Sequence, residues 1–239
     1  MTLKKHSGIW SPEDDQPVPE PPYVNKILLD LWEGMFPLVV GGLVLWVLIT
    51  VMVMVGYVFL LLGMAVAVFV VAPTLAGLMA SCAKSARGGF LRIGDAVRGI
   101  FHLYWRSVAL ALPLVILVGI ITITVQIVTA YPDRQEMVFS LALQVGVALT
   151  VVLAHIYLYP VLALYDTSVK KAVLLAGALA AKFVWQTIVL ALLGGALLAL
   201  GSLHPLVPIF VIGPWCVIAA NTTWRLAQRI LPPSAGIDK

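Results

Sequence analysis

Charge is what this chain has least of. Asp, Glu, Lys and Arg make up 11% of its 239 residues, against roughly 25% in a soluble domain. Residues 34–83, fifty in all, contain none of the four. A straight helix of that length would measure about 75 Å, and a hydrocarbon core is about 30 Å thick, so the run must fold into two crossings. Cysteine is nearly absent too. Cys82 and Cys216 form no CxxC, which excludes a disulfide framework or a zinc finger. There is no nucleotide-binding glycine loop, HExxH, nucleophile elbow or Cys/His metal spacing. No catalytic, cofactor or metal residue is therefore expected, and no enzymatic activity. No short apolar run opens the chain, so no cleaved signal peptide is expected.

What is present is apolar. Hydrophobic residues make up 62% of the chain, and mean hydropathy is +1.04. A core of this size could not absorb so much apolar surface, whereas lipid can. The expected class is all-α: a polytopic membrane helix bundle. The net charge of +4 does not point to nucleic acid, because the bases cluster beside apolar segments, where they fit topology and anionic lipid.

Three regions follow. Residues 1–22 form an acidic, proline-rich tail: SPEDDQPVPEPP, residues 11–22, holds five prolines and four acids and cannot bury a core. Residues 23–225 form a six-span membrane domain, and residues 226–239 a short cytoplasmic tail. Within the domain, residues 23–34 predict an interfacial amphipathic helix. Val24, Ile27, Leu28, Leu31 and Trp32 recur at helical spacing, with Asn25, Lys26, Asp30 and Glu33 on the other side. The spans are placed at about 36–56, 58–82, 106–130, 137–165, 184–203 and 205–224, with the first joint near Gly56 and Tyr57. Turns are expected at Pro132–Asp133 and at residues 201–205, and a kink at Pro208 and Pro214.

Counting Lys and Arg orients the six spans. One side carries three in the N-terminal region, five at Lys84, Arg87, Arg92, Arg98 and Arg106, three at Lys170, Lys171 and Lys182, and three at Arg225, Arg229 and Lys239. The other carries Arg134 alone. Fourteen against one places both termini in the cytoplasm, and the membrane is read as the bacterial cytoplasmic membrane.

An internal repeat also shows. Residues 105–112 read WRSVALAL and residues 185–192 read WQTIVLAL, identical at four of eight positions. Upstream, PTLAGLMASCAK (73–84) matches PVLALYDTSVKK (160–171) at Pro, Leu, Ala, Ser and Lys. Pro, Lys and Trp in the same order predict parallel repeat hairpins over 58–130 and 137–203.

The chain resembles the YesL-like integral membrane proteins, a bacterial family of unknown function. The residues that carry the resemblance are the 25–32 helix, the Pro73-Thr-Leu-Ala segment entering a basic loop, the Tyr159-Pro160 pair and residues 171–187. It covers roughly residues 24–225. The chain departs from the family in its acidic leader and in a less aromatic entry at residues 91–101. The resemblance implies an accessory role near carbohydrate uptake and transfers no catalytic residue.

Candidate sites are few. His155 is the one ionisable residue inside a predicted span, with Tyr159 one turn on. A proton relay is the sharp reading and a hydrogen-bonded packing histidine the bland one. Asp166 has Lys170 at i+4, a natural ion pair if the helix continues. Gln126, Gln144 and Asn221 are neutral polar groups that can join helices. Ala72, Ala76 and Ala80, with Gly77 and Ser81, and the Ala191/Gly195 pair predict close helix approach. Arg92, Arg98, Trp105, Arg106, Lys182 and Trp185 lie on two amphipathic segments, 90–105 and 169–183. Both are read as lying on the cytoplasmic leaflet, with partner docking as the alternative.

Three functions compete. One is an accessory, assembly or regulatory subunit, in contact with lipid and with a membrane-protein partner such as a transporter. The second is a transporter or channel for a neutral or lipid-like solute. The third, an enzyme acting on lipid, would need paired acids or a Cys/His pair at one interface, which Asp166 alone does not supply.

Overall fold

The computed structural model describes residues 23–131, 135–204 and 206–230. The tail 1–22, the Pro132–Asp133 turn, Arg134 and residues 231–239 lie outside them. Nine α-helices run in order among the described residues: α1 (Tyr23–Glu33), α2 (Met35–Val58), α3 (Leu60–Val66), α4 (Ala72–Ala86), α5 (Ile93–Ala130), α6 (Gln135–Tyr165), α7 (Val169–Lys182), α8 (Val184–Leu203) and α9 (Val207–Gln228). Five helical segments are long and apolar enough to cross a membrane, or six when the bent pair α7–α8 counts as one. The molecule is a multi-span helical membrane protein.

The uncharged run does make two crossings. The joint is Phe59, not the expected Gly56–Tyr57: α2 ends at Val58, Phe59 is extended (φ −136°, ψ 96°), and α3 begins at once. No polar turn marks this point. Glycine decides it, because a Cβ on Gly63 would stand 2.4 Å from the Gly56 Cα, and only paired glycines let a one-residue joint close so tightly.

Between α3 and α4 the helix widens into a π-helical turn, Ala67–Val71. Pro73 follows, and its missing N–H orphans the carbonyl four residues back. That carbonyl, Phe69, accepts a hydrogen bond from the Tyr104 hydroxyl at 3.1 Å.

The small-residue face on α4 has the predicted use. A Cβ on Gly77 would lie 2.4 Å from the Ile100 side chain, and one on Gly99 2.6 Å from Ala80. The backbones of α4 and α5 therefore nearly touch. This corrects the 90–105 reading. Residues 93–105 are not a separate helix. They are the first turns of a continuous α5, packed against α4 at Gly99. Of the Ala191/Gly195 pair only Ala191 packs on the core: Gly195 faces open space, and Gly194 approaches Trp215.

The second amphipathic segment keeps its predicted bounds as α7. It meets α8 at Phe183 with a bend of 100°, and it buries Ala172, Ala176 and Leu179. The last predicted span is continuous through Pro208 and Pro214. Pro208 falls in the first turn of α9, where its N–H is not needed, and the helix runs past the expected boundary to Gln228.

The core sits at one end of the bundle. All residues 156–162 of α6 are buried, whereas none from 137 to 155 is. Eleven residues of α4 are buried, as are Cys216, Val217, Ala219 and Ala220 of α9. Toward the other end the helices expose Val145, Leu149, Ile120 and Leu192.

Candidate functional site

The packed end carries the polar contacts. α1 is strapped across it. Tyr23 and Thr222 share a hydrogen bond of 2.5 Å, and the Arg225 guanidinium lies 4.7 Å over the Tyr23 ring. Lys26 donates to the Ala86 carbonyl at 2.7 Å, capping the C-terminal turn of α4. Asn221, buried in α9, donates to Asp30 at 3.1 Å and to the Val217 carbonyl. The beginning and end of the helical bundle are therefore on the same side. The polar side of α1 is divided: Lys26 and Asp30 turn inward, while Asn25 and Glu33 stay exposed, as do Val24, Leu28 and Trp32 on the apolar side.

Beside the strap, Arg87 stacks 5.9 Å over Trp224, whose ring is 6.2 Å from that of Tyr165. Lys84 pairs with Asp95 at 2.7 Å across the α4–α5 turn.

Asp166 has different partners from those expected. α6 stops at Tyr165, and Asp166 takes φ 42°, a left-handed conformation that Asp tolerates better than most residues. The helix does not continue, so the i,i+4 geometry with Lys170 is lost. The carboxylate instead accepts from His102 at 2.9 Å and from Arg106. Burial opposes its ionisation, but the hydrogen bonds and charges of His102 and Arg106 outweigh that, and its pKa is lowered. The cluster ties the end of α6 to α5.

Both ring nitrogens of His155 face backbone carbonyls, and the neutral ring donates to one of them. Nδ1 lies 2.8 Å from the Val151 carbonyl, and Nε2 lies 3.1 Å from the Leu110 carbonyl of α5. Tyr159 is a ring neighbour at 6.3 Å, as its spacing predicts. Gln144 donates to Ser140 at 3.2 Å, within its own helix. Gln126 is exposed on α5. The structure gathers neither glutamine with His155.

Trp105 and Trp185, the paired tryptophans of the predicted repeat, are each 73% exposed. The hydroxyl residues two places on, Ser107 and Thr187, are both buried. Thr187 donates to the Tyr157 hydroxyl at 3.1 Å. The helices carrying the pairs differ, since α5 runs straight through Trp105 while the chain turns just before Trp185. Arg92, Arg98 and Lys182 are exposed.

Sequence reasoning missed Tyr23, Thr222, Asp30 and His102. A threonine or an aspartate on an amphipathic helix gives no sign of which neighbour it will meet. The signal for His102 was present: it sits four residues before Arg106, so both reach one acid.

Among the described residues, no group of three His, Cys, Asp or Glu side chains is placed to hold a metal ion. The arrangement defines a polytopic helical membrane protein whose polar contacts brace one end of the bundle. No family model, curated protein or solved structure matches the chain.

Proposed function

We propose that the protein is a non-catalytic subunit of the bacterial cytoplasmic membrane that assembles with, stabilises or regulates a larger membrane complex. The carrying observation is the unequal packing of the bundle. One end is braced by α1, the Asp166 cluster and a dense core. The other presents unburied faces from α5 and α6, including Gly146, around which nothing lies within 4 Å. A partner helix could approach closely there. The resemblance to YesL-like proteins supplies the kind of partner, a carbohydrate transporter. The shared side of α1 and the end of α9, with the bias of Lys and Arg, supports cytoplasmic termini.

Tagged protein purified from native membranes in mild detergent, then sized and analysed by mass spectrometry, tests this reading. The expected result is a stoichiometric membrane-protein partner. A homogeneous particle of this chain alone would sink it.

One observation favours a second reading, transport of a neutral or lipid-like solute. The 100° break between α7 and α8 is the type of interrupted helix that builds solute sites in transporters. Flux into liposomes that is lost on His155→Gln, with folding intact, would support transport. No flux above empty liposomes across a broad solute panel would remove it.

A further inference from the structure

A slot lies between α2, α4 and α5, with a volume of about 100 Å³. Val40 and Val44 line it from α2, Leu78 from α4, and Val97 and Ile100 from α5, with Arg92 just before α5. Along the chain the α5 side of the lining runs from Arg92 to Ile100, about 12 Å at the helical rise. The cation therefore stands at one end of an apolar channel. We propose that this slot seats the headgroup-proximal segment of one acyl chain of an anionic glycerophospholipid, with the lipid phosphate on the Arg92 guanidinium.

Four observations carry the assignment. First, the slot asks for hydrocarbon. Its two hydroxyls are already spent on their own helix: Ser81 donates to the Leu78 carbonyl at 2.8 Å and Thr74 to the Val70 carbonyl at 2.7 Å. Arg92 apart, a solute would find no free side-chain donor on these walls, and an acyl chain needs none.

Second, Arg92 has no hydrogen-bond or ion-pair partner among the described residues. The nearest acid in sequence, Asp95, is engaged by Lys84 at 2.7 Å. A free guanidinium can bind a phosphate through two parallel N–H groups.

Third, the slot is continuous with a lipid-facing row. Ile93 and Val97 line it, and with Phe101 and Trp105 they form an exposed row at four-residue spacing, at 39%, 47%, 78% and 73% exposure. This row leads toward the apolar part of α5 that crosses the membrane. An acyl chain can enter sideways from the bilayer, which a water-soluble ligand cannot do.

Fourth, the sign of the charge selects the lipid. A basic residue at the cytoplasmic surface attracts anionic headgroups, and a zwitterionic phosphocholine would bring its own cation beside Arg92. The assignment does not depend on the accessory role, since a lone bundle would hold the same lipid.

Native mass spectrometry of the full chain, released from nanodiscs of equimolar phosphatidylglycerol and phosphatidylcholine, tests it. The expected result is one retained phosphatidylglycerol on the wild type. Arg92→Gln is expected to lower the preference over phosphatidylcholine by about fivefold, the factor for about 1 kcal/mol per basic contact. Arg92→Lys keeps part of that preference. Val97→Trp fills the slot and loses both lipids, and Thr74→Leu, which fills it from α4, does the same and guards against a misfolded first variant. Arg98→Gln, which removes an exposed cation that does not line the slot, leaves the adduct unchanged. Three results would overturn the proposal: no preference in the wild type, equal loss in the Arg92 and Arg98 variants, or full retention by correctly folded slot-filling variants.

Discussion

At Asp166 backbone and charge can be separated. Its φ of 42° costs most residues roughly 1–2 kcal/mol, whereas Asn and Gly take it readily. Asp166→Asn should keep the turn and lose the ion pairs. The carboxylate is largely exposed, so the loss should stay below about 1 kcal/mol. Asp166→Leu should cost more, through the backbone. The pH dependence has a definite sign. The pKa is lowered in the folded state, so the stabilisation is present above the unfolded value, near 4, and disappears as pH falls through the folded value. Thermal unfolding in detergent at neutral and strongly acidic pH should show the gap between wild type and Asp166→Asn closing on acidification. A gap independent of pH would show that the charge contributes nothing. His155 belongs at the same scale. Its ring joins α6 to the Leu110 carbonyl at 3.1 Å. Polar contacts between membrane helices average about 0.6 kcal/mol and reach about 1.7, so His155→Leu should lower stability by an amount in that range.

Between elements, glycine sets the distances. Gly77 and Gly99 bring α4 and α5 into backbone contact, and a Cβ on either meets an atom at 2.4–2.6 Å. Gly99→Leu should separate these helices and lower the melting temperature sharply. Gly146→Ala meets nothing within 4 Å. It should be neutral in the isolated protein or stabilising by up to about 1 kcal/mol, the difference in helix propensity. If both variants melt alike, the α4–α5 contact is wrong. The strap helix gives a second test. Removing Asn221 leaves the Asp30 carboxylate without its donor. A double-mutant cycle of Asp30→Ala with Asn221→Ala should return a coupling of roughly 1.5–3 kcal/mol or less, the range for a hydrogen bond to a charged group. Zero coupling would detach α1 from α9.

For the molecule as a whole, topology is the testable property. Tyr23 and Arg225 meet at 4.7 Å, so the two ends of the bundle share a side, which the proposed reading puts in the cytoplasm. Lys182→Cys should react with an impermeant maleimide only after the membrane is opened, and Glu136→Cys should react in intact spheroplasts. Cys82 and Cys216 have no exposed surface and should stay silent as a background. Labelling of Lys182→Cys from outside would reverse the orientation.

The class of the protein could be read from its sequence because the relevant forces act on average properties. A run without charge is driven into lipid whatever its neighbours are, and the bounds of α7 followed from periodicity alone. The close approach at Gly77 was visible as a row of small residues, and the Tyr159 neighbour of His155 from helical spacing. Other features depended on a single atom or a distant segment. No local rule ends α6 at Tyr165, so the partner of Asp166 could not be read from Lys170. The joint at Phe59 needed two glycines seven residues apart to meet. Periodicity showed the apolar row of residues 93–105, which is exposed, but not that Gly99 packs the same segment on α4. The partners of Asp30, Asn221 and Arg92, or their lack of one, were decided only when distant helices came together. The sequence by itself determined that this chain folds in a membrane as helices, since transfer free energy is a sum over residues. The tertiary structure decided which polar groups brace one end of the bundle, because hydrogen bonds and ion pairs are set by distances of a few ångströms between segments far apart in the chain.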